Sequence, residues 1–281
     1  MLKLSIAIAG EDALPSAFVV FRGFEKHIPL AAEYGYDGVE LAMKNASEIS
    51  INKLDHLLKE SGLSVSCIST GQVFAETGYM FTDSDKNRRN ILSNIFKDFI
   101  DLASNYGKLV NIGRVRGVIG GTDKENYEDR FIDLARELCE YARPKDVTLI
   151  LEPVNRYEIN FINNLEEGVT LLRKVNMPNI KLMPDVFHMN IEDVTIGGEL
   201  SKYINYISYI HLADSNRLAP GWGHTYFTDI FNILNLTRYS GWLSVEIIPK
   251  PDPYSAARQA VDYLKPFLYK HNNRTVSGKS V

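Results

Sequence analysis

The sequence predicts an α/β protein that folds as a single (β/α)8 barrel, the TIM-barrel class. Short apolar runs alternate with longer amphipathic segments along all 281 residues, and about eight such units recur at roughly 35 residues each. No hairpin turn joins successive apolar runs, so the strands are expected to be parallel and to need crossover helices. The alternative is an open doubly wound sheet, but the first apolar run is followed by Gly10-Glu11-Asp12 and not by a GxGxxG turn.

The individual elements follow from apolar spacing and from helix-terminating residues. Glycines close three of the predicted helices, at Gly35, Gly62 and Gly107. The segment 70–85 is expected to be a long aromatic loop that could act as a lid. We predict one catalytic domain over residues 1–269 and a flexible polar tail over 270–281. The predicted strands are 4–9, 38–42, 63–69, 109–113, 147–152, 180–185, 206–212 and 242–248, and the predicted helices are 22–34, 51–61, 87–106, 125–142, 165–175, 199–204, 228–236 and 253–268.

Composition excludes several classes of protein. Lysine plus arginine is 31 and aspartate plus glutamate is 35, so the formal net charge of −4 disfavours nucleic-acid binding. Two cysteines, Cys67 and Cys139, form neither a disulfide framework nor a zinc-finger spacing. The chain contains no run of ~18 apolar residues, and its start is better explained as a strand than as a signal peptide. These features predict a cytoplasmic enzyme that does not bind a membrane.

Four consecutive predicted strands end in or beside a titratable residue. The carboxyl ends of barrel strands meet at one mouth, where barrel active sites lie. Three carboxylates crowded there would repel one another unless a cation lay among them. Three oxygen donors and one imidazole favour a hard divalent ion such as Mn²⁺, Mg²⁺ or Co²⁺. The four residues are Glu152, Asp185, His211 and Glu246, separated by 33, 26 and 35 residues.

Each of these residues taken alone also has an ordinary structural explanation. Asp185 could cap a helix, His211 could be a hydrogen-bonded core histidine, and Glu246 could pair with Lys250. Glu152 could be a simple salt-bridge partner. The coincidence of all four in successive units favours a metal site.

Three further residues extend this hypothesis. Glu40 ends another predicted strand and could support the site from behind or form a structural ion pair. Arg114 and Arg116 follow the fourth strand and could contact an anionic or hydroxylated substrate, or lie on the surface.

Three motifs in the second half of the chain carry a family resemblance. LEPVNRYE at 151–158, PDVFHMNIED at 184–193 and HLADSNRLAPGWG at 211–223 resemble the xylose isomerase-like TIM-barrel superfamily, in its sugar isomerase/epimerase branch. They are most similar to ketose 3-epimerases of the D-tagatose/D-psicose type and to related keto-sugar epimerases. In the first half the resemblance rests on the strand–helix rhythm and on GYDGVEL at 35–41. The first-strand loop, GEDALPSAFVVF, lacks the family's aromatic pattern.

The resemblance implies a metal-dependent isomerase acting on a small sugar. Glu152 and Glu246 would be the acid/base pair that removes and returns a proton next to the ketose carbonyl, through an enediolate. His188, Arg217 and Glu158 would contact the substrate. Relatives form homodimers or homotetramers, and one Mn²⁺ is the expected cofactor. The implied metal ligands are Glu152, Asp185, His211 and Glu246.

Four other functions remain open at this point. An aldose–ketose isomerase would return the proton to the neighbouring carbon, and a keto-inositol-type dehydratase would expel a hydroxyl group after the same proton abstraction. A hydrolase of the AP endonuclease type would use several metal ions and many histidines, whereas this acidic chain has only six histidines. A noncatalytic sugar-binding protein would not need an acid/base pair.

Overall fold

The computed structural model describes residues 1–14, 18–121 and 124–277. Within these residues eight parallel strands form one barrel, in the order β6-β5-β4-β3-β2-β1-β8-β7. The predicted single-domain (β/α)8 barrel is therefore confirmed. The barrel strands are β1 (Lys3–Ala9), β2 (Gly38–Ala42), β3 (Ser64–Ser69), β4 (Leu109–Ile112), β5 (Thr148–Leu151), β6 (Ile180–Leu182), β7 (Tyr209–Leu212) and β8 (Trp242–Val245). A two-residue strand, Phe21–Arg22, pairs with β1 outside this ring.

The barrel closes between β6 and β7 through isolated bridges instead of a continuous ladder. One parallel bridge pairs Leu182 with Ile207, and a second pairs Asp185 with His211. The backbone N–H of His211 donates to the Pro184 carbonyl at 2.9 Å. Two of the predicted metal ligands thus face each other across the closure of the barrel.

Helices surround the barrel and bury their apolar faces against it. Two predicted helices, α2 and α6, have the observed bounds, because local residues define both ends of each helix. The Ser50 side chain accepts the Lys53 N–H before α2, and Asn164 accepts the Glu167 N–H before α6. The helices are α1 (Phe24–Tyr34), α2 (Ile51–Ser61), α3 (Gly71–Thr77), α4 (Lys86–Ala103), α5 (Lys124–Ala142), α6 (Leu165–Val175), α7 (Val186–Glu192), α8 (Ile196–Tyr203), α9 (Phe227–Leu236) and α10 (Pro253–Ser277).

Polar residues are buried inside the barrel beneath its mouth. The Tyr209 hydroxyl lies 2.7 Å from Ser66 Oγ and 3.1 Å from Ser5 Oγ, and it donates to Glu40 Oε2 at 3.0 Å. These side chains come from β1, β2, β3 and β7, which are not all neighbours, so their contacts cross the barrel interior. The hydrogen bonds compensate the loss of water around the buried groups.

The largest differences between the structure and the predicted elements lie in the expected lid loop, in the segment after β6 and at the C-terminal helix. The expected lid loop contains helix α3, and Phe81 is fully buried against Phe96 and Phe131, so this ring is part of the core. The short helix α7 was not predicted. Helix α10 continues to Ser277, beyond the predicted end at Leu268, and residues 278–281 of the predicted tail lie outside the described residues.

Across the described ranges, none of the helices combines the length and the apolar character that crossing a bilayer requires.

Candidate metal and substrate site

The four predicted ligand residues meet at the mouth of the barrel. Glu152 follows β5, Glu246 follows β8, His211 lies in β7, and Asp185 precedes α7. One ligand atom from each residue lies within 4.8 Å of all the others. The regular strand–helix repeat brings together residues that are up to 94 positions apart in the sequence, from 152 to 246.

His211 presents a free ring nitrogen to the three carboxylates. Its Nε2 lies 2.9 Å from Glu40 Oε2, so the carboxylate holds the ring proton on Nε2. Its Nδ1 is buried and has no hydrogen-bond partner. This nitrogen lies 3.5 Å from Glu152 Oε1, 3.8 Å from Asp185 Oδ2 and 3.5 Å from Glu246 Oε2. An unpartnered imidazole lone pair aimed at three carboxylate oxygens fits a divalent cation well.

Asp185 has two roles, one for each carboxylate oxygen. Oδ1 accepts the Phe187 N–H at 2.8 Å and caps α7, as the structural interpretation of this residue anticipated. Oδ2 faces the cluster beside His211. Asp185 is therefore both a helix cap and a member of the cluster, because the cap fixes the orientation in which Oδ2 points at the mouth.

Arg217 lies between two of the carboxylates. Its Nη1 donates to Asp185 Oδ2 and its Nη2 donates to Glu246 Oε2. The rings of Phe18 and Phe187 lie 5.1 Å and 4.9 Å from the guanidinium carbon. Asp214 lies only three residues before Arg217 in the sequence, but the structure places the guanidinium inside the acidic cluster.

Burial and charge move the carboxyl pKa values in opposite directions. Burial raises the pKa of Asp185, but the Arg217 guanidinium outweighs it and holds the pKa at about 2. Burial raises the pKa of Glu246 to about 8, with His211 and Arg217 opposing it and the neighbouring carboxylates adding to it. Burial also raises the pKa of Glu152, but the adjacent His211 ring outweighs it and brings the pKa below its usual value. Two glutamates of one cluster thus differ in proton affinity.

His188 and Glu158 are oriented by Asn155, a residue that the sequence did not single out. The Asn155 Oδ1 accepts the Tyr157 N–H at 3.0 Å, which fixes the orientation of its amide. The Nδ2 group then donates to His188 Nδ1 at 2.7 Å and to Glu158 Oε1 at 3.0 Å. Burial lowers the pKa of His188, so its ring is neutral and carries its proton on Nε2. That nitrogen lies 3.9 Å from Glu152 Oε1.

A family comparison agrees with this geometry. The profile of the xylose isomerase-like TIM barrel family matches residues 28–267. The chain belongs to this family.

Named members of this xylose isomerase-like family are similar to the chain over most of its length. D-psicose 3-epimerase of Ruminiclostridium cellulolyticum is 29% identical over 230 residues, which cover 79% of this chain and 78% of that protein. The 3-dehydro-D-guloside 4-epimerase of Escherichia coli is 25% identical, over 83% of this chain and 90% of that protein. The structure of D-allulose 3-epimerase from Methylomonas sp. in complex with D-allulose superimposes with a TM-score of 0.81 at 24% identity, covering 94% and 96% of the two chains.

The predicted substrate-contacting residues of this xylose isomerase-like barrel surround one cavity above the cluster. His188, Arg217 and Glu158 line it together with Arg114. Arg116 does not line this cavity. Its side chain is fully buried and donates to the backbone carbonyls of Phe161, at 2.7 Å, and of Glu152, so it holds the start of the loop after β5 in place.

Glu40, predicted as a supporting residue, contacts the cluster directly through His211 Nε2. Sequence analysis did not identify Asn155 as a functional residue. It lies within the LEPVNRYE motif, but nothing in its spacing indicated that it orients two other side chains.

Proposed function

We propose that this protein is a divalent-metal-dependent ketose 3-epimerase. The single observation that carries the proposal is the meeting of Glu152, Asp185, His211 and Glu246 around the unpartnered Nδ1 of His211. Membership of the family and the similarity to named 3-epimerases support the same function. The substrate would be a ketose or keto-sugar held in the cavity above the cluster.

The four residues would hold the metal through three carboxylate oxygens and one imidazole nitrogen. A bound divalent ion would supply a fixed positive charge that polarises the ketone and makes the neighbouring C–H more acidic. We propose Mn²⁺ as this ion, with Mg²⁺ or Co²⁺ as alternatives, because the donor set is rich in oxygen and lacks thiolates.

The two glutamates are placed to exchange protons with one carbon. Glu152 follows β5 and Glu246 follows β8, which are three strands apart around the ring, so the carboxylates approach the cluster from different sides. In the proposed reaction one glutamate removes the proton from C3 of the ketose and the other returns a proton to the opposite face. Removal and return on opposite faces invert the stereocentre and produce the epimer.

Neighbouring donors would hold the oxygen atoms of the substrate. The Nε2–H of His188 points towards Glu152 and Asp185, at 3.9 and 4.0 Å, and its orientation is fixed by Asn155. Arg217 contributes a second, charged donor at the same mouth. These groups would stabilise negative charge on the oxygens next to the reacting carbon as the proton leaves.

The direct test is turnover of a ketose panel in deuterated water with Mn²⁺, followed by NMR. We expect deuterium at C3 of the ketose, appearance of the C3 epimer, loss of turnover with a chelator and recovery on adding Mn²⁺. An aldose product with deuterium at C2, or recovered ketose with deuterium at C1, would indicate an aldose–ketose isomerase. A product lacking one water would indicate a dehydratase. Full activity in thoroughly demetallated protein would contradict the metal-dependent scheme.

A further inference from the structure

One wall of the cavity carries buried amide groups that the proposed proton transfer does not use. Asn111, in β4, is 2% exposed, and Gln72, in the first turn of α3, is 5% exposed. Both side chains line the cavity together with Ser69, the last residue of β3. These residues come from the side of the ring opposite β7 and β8.

The amide oxygens of this wall have no protein partner. Asn111 Oδ1 and Gln72 Oε1 are buried without a hydrogen bond. Asn111 Nδ2 makes one long contact, 3.5 Å, with Ser69 Oγ. Buried polar groups in proteins are nearly always hydrogen-bonded, so unpartnered acceptors that line a cavity point to a ligand that brings donors.

Gly113 has no side chain, which leaves room for such a ligand beside Glu152. A Cβ added at Gly113 would lie 3.3 Å from Glu152 Oε2 and 3.6 Å from both Asn111 amide atoms. The space beside Gly113 therefore lies within contact distance of both the Asn111 amide and the Glu152 carboxylate. A substrate atom in that space would touch both, which places the wall next to the carbons that adjoin the reacting centre.

From these contacts we propose that Asn111, Gln72 and Ser69 form a hydroxyl-binding wall that selects ketoses with free hydroxyl groups beyond the reacting carbon. The orphaned oxygens accept hydrogen bonds, and the hydroxyl groups of a sugar chain donate them. This proposal rests on the proposed epimerase function, which supplies the substrate class, and it names the residues that would recognise the hydroxyl groups of the substrate. An analogue lacking the hydroxyl would leave the amides unpaired, which is the condition under which a polar site rejects a ligand strongly.

The test compares binding of a ketohexose with binding of its 5-deoxy and 6-deoxy derivatives to the Mn²⁺-loaded protein by calorimetry. We expect the wild type to bind the parent sugar at least about tenfold more tightly than one of the deoxy sugars. Asn111→Leu and Gln72→Met keep side-chain size and remove the acceptor. Each substitution should lower the affinity for the parent sugar about tenfold and leave the affinity for the deoxy sugar unchanged. The ratio of the two affinities should therefore fall.

Two further variants keep the result interpretable. Asn105→Leu, at an exposed turn position just after α4, should leave both affinities unchanged and controls for general effects of the substitution. Gly113→Ala should lower the affinity for every sugar tested, because its methyl group fills the space beside Glu152. If Asn111→Leu fails to fold, Gln72→Met decides the matter, because Gln72 lies on a short helix outside the strands.

Equal binding of parent and deoxy sugars by the wild type would overturn the proposal, as would discrimination that persists in both Asn111→Leu and Gln72→Met. Absence of any ketose binding would overturn it too. Turnover measured on the same samples separates the two proposals, because a protein that binds and discriminates the sugars without epimerising them supports the wall and contradicts the proposed function.

Discussion

The imidazole Nε2 of His211 lies 2.9 Å from Oε2 of Glu40, and neither side chain is exposed to solvent. The same Glu40 oxygen accepts the Tyr209 hydroxyl at 3.0 Å. Glu40 therefore holds the imidazole in the tautomer that leaves Nδ1 free, and Tyr209 holds Glu40. Carboxylates in this position behind a histidine ligand orient the ring and raise its basicity.

Glu40→Gln should weaken metal binding without unfolding the protein. The amide keeps a hydrogen-bonding group beside Nε2 but removes the negative charge that favours the Nε2–H tautomer. We expect the affinity for Mn²⁺ to fall about 10–100-fold, measured by calorimetric titration. Glu33→Gln, on the exposed face of α1, is the matched control. An unchanged Mn²⁺ affinity in Glu40→Gln would show that this carboxylate has no positioning role.

Glu246→Gln should separate turnover from binding. The amide retains size and a hydrogen bond to Arg217 but cannot exchange a proton. We expect kcat to fall at least about 100-fold while ketose binding is partly retained. Steady-state kinetics and deuterium exchange at C3 measure the loss of turnover. Glu60→Gln, at an exposed position of α2, is the control. Near-normal turnover in Glu246→Gln would rule out the two-base scheme.

Asn155→Asp should move the ring proton of His188 from Nε2 to Nδ1. The substitution replaces a donor by an acceptor at the 2.7 Å contact with Nδ1, so the ring proton should move to Nδ1. The ring then loses its Nε2–H donor to the substrate, and we expect kcat/KM to fall about tenfold. Nitrogen chemical shifts of the histidine ring report the tautomer. Asn87→Asp, on exposed α4, controls for the added charge. Retention of the Nε2–H form would contradict this assignment.

Asp193→Asn should alter how stability depends on pH. Burial raises the pKa of Asp193 to about 7, and Glu199, Glu192 and Glu167 add to the shift. The folded state therefore holds a proton that the unfolded state releases above about pH 4, so the free energy of unfolding falls as pH rises from about 4 to 7.

The asparagine variant cannot ionise and should not show this loss. Because the Asp193 side chain is partly solvated, we expect Asp193→Asn to be more stable than the wild type by about 1–2 kcal/mol at pH 8 and nearly equal at pH 4. Urea unfolding at the two pH values measures the difference. Asp133→Asn, on exposed α5, should show no such pH dependence. Equal stability of Asp193→Asn and wild type at pH 8 would contradict the raised pKa.

The sequence by itself determined the barrel and the four residues that meet at its mouth. Strand–helix alternation is a local pattern, and the residue at each strand end is brought to the mouth by the repeat, so Glu152, Asp185, His211 and Glu246 could be placed without coordinates. The bounds of α2 and α6 were also predictable, because their capping residues lie next to them in sequence.

Only the tertiary structure decided how the side chains around the cluster are partnered. Arg217 could have paired with its neighbour Asp214, but the Asp214 carboxylate accepts three backbone N–H groups and Arg217 turns into the acidic cluster. Asn155 contacts His188, a residue 33 positions away in the sequence that lies on a different element. Such contacts depend on the packing of non-adjacent elements and on competition for hydrogen-bond partners, which no local sequence pattern records.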